Sequence, residues 1–322
     1  MYKFSKKLLI LFIFLLFISS YKAQKYRVDQ TKVDSVLQFC QSTGANAVLL
    51  YHDEKDLLKW KDPNCDQKMN TASMVKSWTG LVVGALVDRG LINIDDPVCN
   101  YLPEWKSGRD SSVTVENLLT MTSGLLKKPA PQSILAQKDM NKFVLNLDLD
   151  TTPGTQWSYS NEGVQLLGLI IERVSGLNAQ EAFKKYLFKP LEMDSSYLYQ
   201  DEAGNFIVFG GTSTTVEDAL KIGILMLNEG MYKGSQILSE NWVKKSVSPG
   251  SISKHYGYLW WLDKSNNNFA AMGDFGQMTV VFPDEKLVFV RQQSCSNNNQ
   301  STNMNWMSPE FLLLLKQCVI VK

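Results

Sequence analysis

Apolar and polar positions divide the chain into three stretches of different character. Val33, Val36, Leu37 and Cys40 recur at helical spacing within residues 32–43, which predicts a helix with one buried face. Asn46 to Tyr51 carries Ala47, Val48, Leu49 and Leu50 in a row and reads as a strand, and Asp53-Glu54-Lys55 is a hairpin turn into Leu57 to Trp60. A polar loop follows, and then Leu81-Val82-Val83-Gly84-Ala85-Leu86-Val87 is apolar all round, the mark of a helix buried on every side. Gly90 is placed to end it. From about 92 to 245 the signals are mainly helical: Glu116 to Met121, Glu162 to Val174, and Val216 to Leu227 after the capping pair Thr214-Thr215. Beyond about 255 the pattern turns to strands: Tyr256 to Leu262, Phe269 to Met272, Gln277 to Phe282 and Leu287 to Gln292, with Pro283-Asp284-Glu285-Lys286 as the last turn. Ser308-Pro309 then opens a final apolar helix through Val319.

Strands at both ends and helices between them predict an α+β fold. One antiparallel sheet, split in sequence by an inserted all-α subdomain, would have the terminal helices over one face. The boundaries expected are an α/β subdomain at about 30–90 and 250–322 and a helical subdomain at about 91–249, within one domain spanning 24–322.

The first residues change the picture of where the chain works. Lys3, Lys6 and Lys7 precede the apolar run Leu8 to Ile18, which is shorter than the roughly 20 residues of a spanning helix. Residues 1–23 are expected to be a signal peptide cleaved near Ala23-Gln24. The product would be exported, periplasmic or secreted, with no stable membrane span. No cysteine lies near that boundary, so no lipid anchor is expected. Lysine plus arginine number 33 against 32 acidic residues, and loss of the first 23 residues removes four lysines and no acid. Such a balance gives no electrostatic reason to expect a nucleic-acid partner. The five cysteines show no C-x-x-C spacing, so no metal site is expected, and any disulfide pairing stays open; no cofactor is expected either.

Candidate chemistry centres on Ser73-Met74-Val75-Lys76. Ser-x-x-Lys occurs three times, at 19–22, 73–76 and 251–254, but only the second leads into the apolar helix. Residues three apart on a helix share a face, and a lysine whose pKa falls on burial can take a serine proton without any histidine. The competing reading is a capping serine with an exposed lysine. Tyr159-Ser160-Asn161 is the only Tyr-x-Asn in the chain and precedes the helix from Glu162. A tyrosinate beside an ammonium can act as a base, and Asn161 can hold the lysine or a substrate carbonyl; Tyr159 as a packing residue is the bland alternative. Gly273-Asp274-Phe275-Gly276-Gln277 lies between two predicted strands. Glycine lets a backbone approach a ligand closely, so an N–H there and that of Ser73 would make a two-donor oxyanion hole, unless the glycines merely form a turn. A Ser-His-Asp hydrolase is disfavoured by the presence of only His52 and His255 and the lack of a Gly-x-Ser-x-Gly elbow.

Ser-x-x-Lys, then Tyr-x-Asn, then a glycine strand motif resembles the serine β-lactamase and penicillin-recognising family, in its class C, esterase and D-peptidase branch. Connecting segments agree: Leu91 to Val98 with Tyr101-Leu102-Pro103-Glu104, Val115 to Leu125, Pro190-Leu191-Glu192-Met193, and Gly210-Gly211 with Asp218. The resemblance implies a β-lactamase/transpeptidase-like fold with the site between sheet and helical part. It also implies roles: Ser73 as the acylated nucleophile, Lys76 as its activator, Tyr159 as the proton carrier to the leaving group, and the N–H groups of Ser73 and Asp274 as oxyanion donors. One departure limits the substrate. Where true β-lactamases of the branch have Lys-Thr-Gly, and many esterases and peptidases His-x-Gly, this chain has Ala271-Met272-Gly273. A β-lactam carboxylate would lose a charge-assisted partner. The Gly-x-x-Gly-Gln form and Tyr256 to Trp261 are more similar to the 6-aminohexanoate-dimer hydrolases and related esterases. Met121, where the family often has histidine, reads as packing only. The expected function is therefore an ester or amide hydrolase taking a small-molecule ester, amide or peptide; the alternative is a non-catalytic ligand or cell-wall sensor that keeps the fold.

Overall fold

The computed structural model describes residues 26–105, 113–129, 132–294 and 308–321. The expected signal peptide at 1–23 and Cys295 lie outside the described residues. The elements that position the site are β1 (Tyr26–Val28), α1 (Gln30–Ser42), β2 (Ala47–His52), β3 (Lys55–Lys61), α2 (Val75–Val87), α3 (Asn161–Ser175), α4 (Val216–Leu227), β4 (Trp261–Asp263), β5 (Asn268–Gly273), β6 (Gln277–Phe282), β7 (Leu287–Gln292), α5 (Pro309–Gln317) and β8 (Val319–Val321).

Six strands form one antiparallel sheet in the order β3-β2-β7-β6-β5-β4. The first two come from the start of the chain and the rest from its end, so the whole helical stretch is an insertion between β3 and β4. Side chains alternate between the faces of a strand, and here that alternation divides two cores. Val48, Leu50, Met278, Val280, Phe282, Leu287 and Phe289 point to one, shared with Val33, Val36 and Cys40 of α1 and Phe311, Leu312 and Leu315 of α5. Ala47, Leu49, Val281, Val288 and Val290 point to the other, shared with α2, α3 and α4. Both faces are covered, which explains why these strands read as nearly unbroken apolar runs. Phe311 links α5 to both α1 and the sheet, with its ring centroid 4.6 Å from that of Phe39 and 5.5 Å from that of Phe289.

Local chemistry explains the element ends. Asp53 and Glu54 both have positive φ (44° and 68°), as the tight turn joining two right-twisted strands requires. Thr215 caps α4 by accepting from the Asp218 N–H, and Ser160 caps α3 by accepting from the Gly163 N–H, each cap contributing about 1 kcal/mol. Helix α2 is buried along nearly its whole length. Gly84 lets it lie against Trp242: a Cβ there would come within 2.0 Å of the indole nitrogen.

Two expectations are corrected. Tyr256 to Leu262 is not a strand; only Trp261–Asp263 pairs in the sheet. The preceding N–H groups serve other carbonyls, with Tyr258 donating to Ser246, Leu259 to Leu119 and Gly257 back to Trp260, and Leu259 adopts φ 63°. The last helix ends at Gln317, and Val319–Val321 instead forms β8, antiparallel to β1. The described cysteines, Cys40, Cys65, Cys99 and Cys318, form no disulfide. Among the described residues no helix is long and apolar enough to cross a membrane.

Candidate active site

The nucleophile turn is strained and pinned. Ser73 lies in a 3-10 turn over Ala72–Met74 that runs into α2. Ala72 has φ 46°, a left-handed conformation costly for a residue with a Cβ. Flanking bonds hold it there: Thr71 N–H donates to the Thr212 carbonyl (2.8 Å) and Ala72 N–H to Asn70 Oδ1 (2.8 Å).

Ser73 makes no side-chain cap, and Lys76 is only 1% exposed, so the capping-serine reading fails. Lys76 Nζ donates to Ser73 Oγ at 2.9 Å and to the Phe209 carbonyl at 2.5 Å. The other polar residues of this turn of α2 are spent similarly: Ser77 Oγ donates to the Leu259 carbonyl and Thr79 Oγ1 to the Val208 carbonyl, both at 2.6 Å. Thus the helix carries polar groups in the core because each reaches a carbonyl of another segment. Burial depresses the Lys76 pKa from 10.5 to about 7, against the opposing pull of the Asp274 and Glu162 carboxylates. A large share of the amine is then neutral near pH 7 and able to accept the Ser73 proton.

Tyr159 reaches the site from the loop before α3. Ser158 N–H donates to the Met121 carbonyl (2.8 Å) and Ser160 N–H to Met121 Sδ (3.2 Å), so Met121 anchors the residues on either side of the tyrosine. This is more than the packing role read from sequence. The Tyr159 ring stacks on Trp261 at 5.9 Å and 21° between planes, and Lys76 Nζ lies 5.0 Å from its centroid. Burial pushes the phenol up to about 12; the Ser73 hydroxyl opposes this shift and Asp274 adds to it. Burial, the largest of these causes, favours the neutral phenol, the form that can donate a proton to a leaving group.

β5 closes the site from the sheet side. A Cβ on Gly273 would lie 2.4 Å from the Thr71 carbonyl oxygen and 2.9 Å from the Ser73 nitrogen. Only glycine lets the strand end abut the nucleophile turn this closely. Asp274, Phe275 and Gly276 follow as a tight turn, with Phe275 at φ 62°. Wholly buried Arg291 holds that turn from behind, donating to the Phe275 (3.0 Å) and Gly276 (2.9 Å) carbonyls.

Two cavities meet at Ser73. One, of about 410 Å³, is lined by Tyr159, Asn161, Trp261, Met272, Gly273 and Asp274. The other, of about 270 Å³, is bounded by Leu135, Ile207, Phe209 and the Gly210-Gly211 backbone, with Asn161 and Asp274 shared. All six residues singled out in the sequence, Ser73, Lys76, Tyr159, Asn161, Gly273 and Asp274, therefore converge here. Asn161 faces the cleft but is not a hydrogen-bond partner of Lys76; that place belongs to the Phe209 carbonyl. Phe209 and Arg291 are not among the residues the sequence singles out, and for Phe209 the neighbouring Gly210-Gly211 is the available signal. Ala271 is wholly buried in the helix-side core. His52 instead bonds the Glu285 carbonyl (2.9 Å), and neither histidine lines either cavity.

A family model described as Beta-lactamase matches residues 34–308. The chain belongs to the β-lactamase family. It is a serine hydrolase of that family, with the β-lactamase/transpeptidase-like fold. It is 25% identical over 299 residues to the 6-aminohexanoate-dimer hydrolase of Paenarthrobacter ureafaciens, covering 82% of this chain and 76% of that protein. With a β-lactamase of Escherichia coli it shares 30% over 139 residues, 43% of this chain and 37% of the relative's length. The crystal structure of a family VIII carboxylesterase superposes with a TM-score of 0.73 at 16% identity, covering 91% of this chain and 98% of that one, a likeness of fold alone.

Proposed function

We propose that the protein is an exported serine hydrolase, periplasmic or secreted, that cleaves an ester or amide through an acyl-enzyme on Ser73. The observation that carries this reading is the buried Lys76 amine 2.9 Å from Ser73 Oγ with a pKa near 7. Neutral Lys76 removes the Ser73 proton as Oγ attacks the carbonyl. The N–H groups of Ser73 and Asp274, brought together by the close approach at Gly273, stabilise the oxyanion. Tyr159, protonated at rest, gives its proton to the leaving alcohol or amine; in deacylation the phenolate takes a proton from the attacking water while Lys76 returns its proton to Ser73 Oγ. Asn161 orients the substrate carbonyl side.

Esterase or amidase action is favoured over β-lactam hydrolysis. Ala271 offers no cation, and none of the described residues lining the two cavities is a lysine, arginine or histidine. A carboxylate-bearing β-lactam would find no charged partner there. The relative named 6-aminohexanoate-dimer hydrolase fits the same reading. Purified protein mixed with p-nitrophenyl acetate should release a burst of nitrophenol followed by steady turnover, and Ser73→Ala should abolish both. Ligand binding that survives Ser73→Ala, with no turnover by the wild type, would favour the sensor instead.

A further inference from the structure

Asp274 is the one charged side chain among the described residues lining either cavity, and it lines both. It is exposed at the lip of the cleft, and none of the described ion pairs engages it. Lys127 lines neither cavity. The larger cavity is lined by this residue and by aromatic rings together. Trp261 and Tyr159 stack there, and Tyr256 and Trp157 stand edge-on behind Trp261 at 4.9 and 6.1 Å. Aromatic faces attract organic cations and gain nothing from anions, and a carboxylate lining the same cavity adds to that discrimination.

We propose that the larger cavity selects a leaving group bearing a positively charged ammonium, held between the Asp274 carboxylate and the Trp261 ring. Leaving-group rather than acyl selectivity follows from Tyr159, the proton donor to the leaving group, lining this cavity. The smaller cavity, walled by Ile207, Phe209 and Leu135, takes the apolar acyl part. This inference rests on the hydrolase reading above and narrows it to a substrate class: esters or amides of amino-alcohols or diamines carrying a cationic nitrogen.

The test compares two esters of one shape and different charge, a choline ester and its neutral 3,3-dimethylbutyl isostere. Wild type, Asp274→Asn and Trp261→Leu are assayed, with p-nitrophenyl acetate as an independent substrate. Only the ratio of kcat/KM within each protein is read, so that any general loss of activity in a variant cancels. The wild type should favour the choline ester by about tenfold at low salt, as expected for one carboxylate and one aromatic face acting on a partly solvated cation. High salt should shrink the ratio through screening, and Asp274→Asn and Trp261→Leu should each bring it toward one. Turnover of p-nitrophenyl acetate with no preference for the choline ester, or with neither ester cleaved, would overturn this inference alone. So would a preference unchanged in Asp274→Asn. Failure to turn over p-nitrophenyl acetate as well would remove the hydrolase reading and this inference with it.

Discussion

Titration of Lys76 yields the most demanding prediction. Burial lowers its pKa from 10.5 to about 7. At about 1.4 kcal/mol per unit, the site disfavours the ammonium form by on the order of 5 kcal/mol. Only the neutral amine accepts the Ser73 proton, so acylation should rise with pH to a plateau above about pH 7 and fall about tenfold per unit below it. The assay is the second-order rate of Ser73 labelling by a fluorophosphonate, which reports nucleophile activation without deacylation. Stability must carry the same signature with a definite sign. The unfolded lysine holds its proton up to roughly pH 10.4, whereas the folded one releases it near 7. Unfolded protein binds more protons between those values, so stability rises with pH across that window and the destabilisation is complete below about pH 7. Lys76→Met removes that destabilisation. It also frees the Phe209 carbonyl that Lys76 now satisfies, a penalty of about 1–3 kcal/mol. Relief of the buried ammonium outweighs the freed carbonyl, and urea unfolding near pH 6 should show Lys76→Met more stable than wild type by a few kcal/mol while labelling is lost. A labelling profile that is flat from about pH 6 to about pH 9, or that inflects near 10, would refute the assignment of Lys76 as the base. So would a Lys76→Met variant less stable than wild type near pH 6.

Two further substitutions probe the other parts of the site. Tyr159→Phe should keep the fold and slow ester turnover by about a hundredfold or more, the usual contribution of a positioned proton donor; near-normal kcat in a steady-state assay would take Tyr159 off the proton path. Gly273→Ala places a Cβ 2.4 Å from the Thr71 carbonyl oxygen, a backbone atom that cannot swing aside. It should cost about 1–3 kcal/mol in thermal or urea unfolding and slow Ser73 labelling, and wild-type values for both would show that the close approach is not needed.

Much of the fold is legible where local signals and burial agree. Gln277–Phe282, Leu287–Gln292 and Val216–Leu227 fall where the sequence predicts them, because each has a turn or cap at its boundary and a consistent face. Tyr256 to Leu262 misleads because its aromatic, β-rich composition is real while its N–H groups are committed to Ser246 and Leu119. Pairing between Tyr26–Val28 and Val319–Val321 joins the two ends of the described chain, and no local pattern announces so distant a partner. At the site, Ser73 and Lys76 are legible because their spacing puts them on one face and, of the three such tetrads, only theirs leads into an apolar helix. The Phe209 carbonyl is harder to read, since every residue has one and only the neighbouring Gly210-Gly211 marks its segment. The protonation of Tyr159 depends on how deeply the ring is buried, which neither its motif nor its neighbours in sequence state.

Hydrolysis through Ser73 requires a covalent acyl intermediate on its Oγ. Protein quenched in acid during steady-state turnover of an ester, digested and examined by mass spectrometry, should show the acyl mass on the peptide containing Ser73-Met74-Val75-Lys76 and none in Ser73→Ala. Turnover without an adduct on Ser73 in the wild type, together with Ser73→Ala hydrolysing the ester at the wild-type rate, would contradict it.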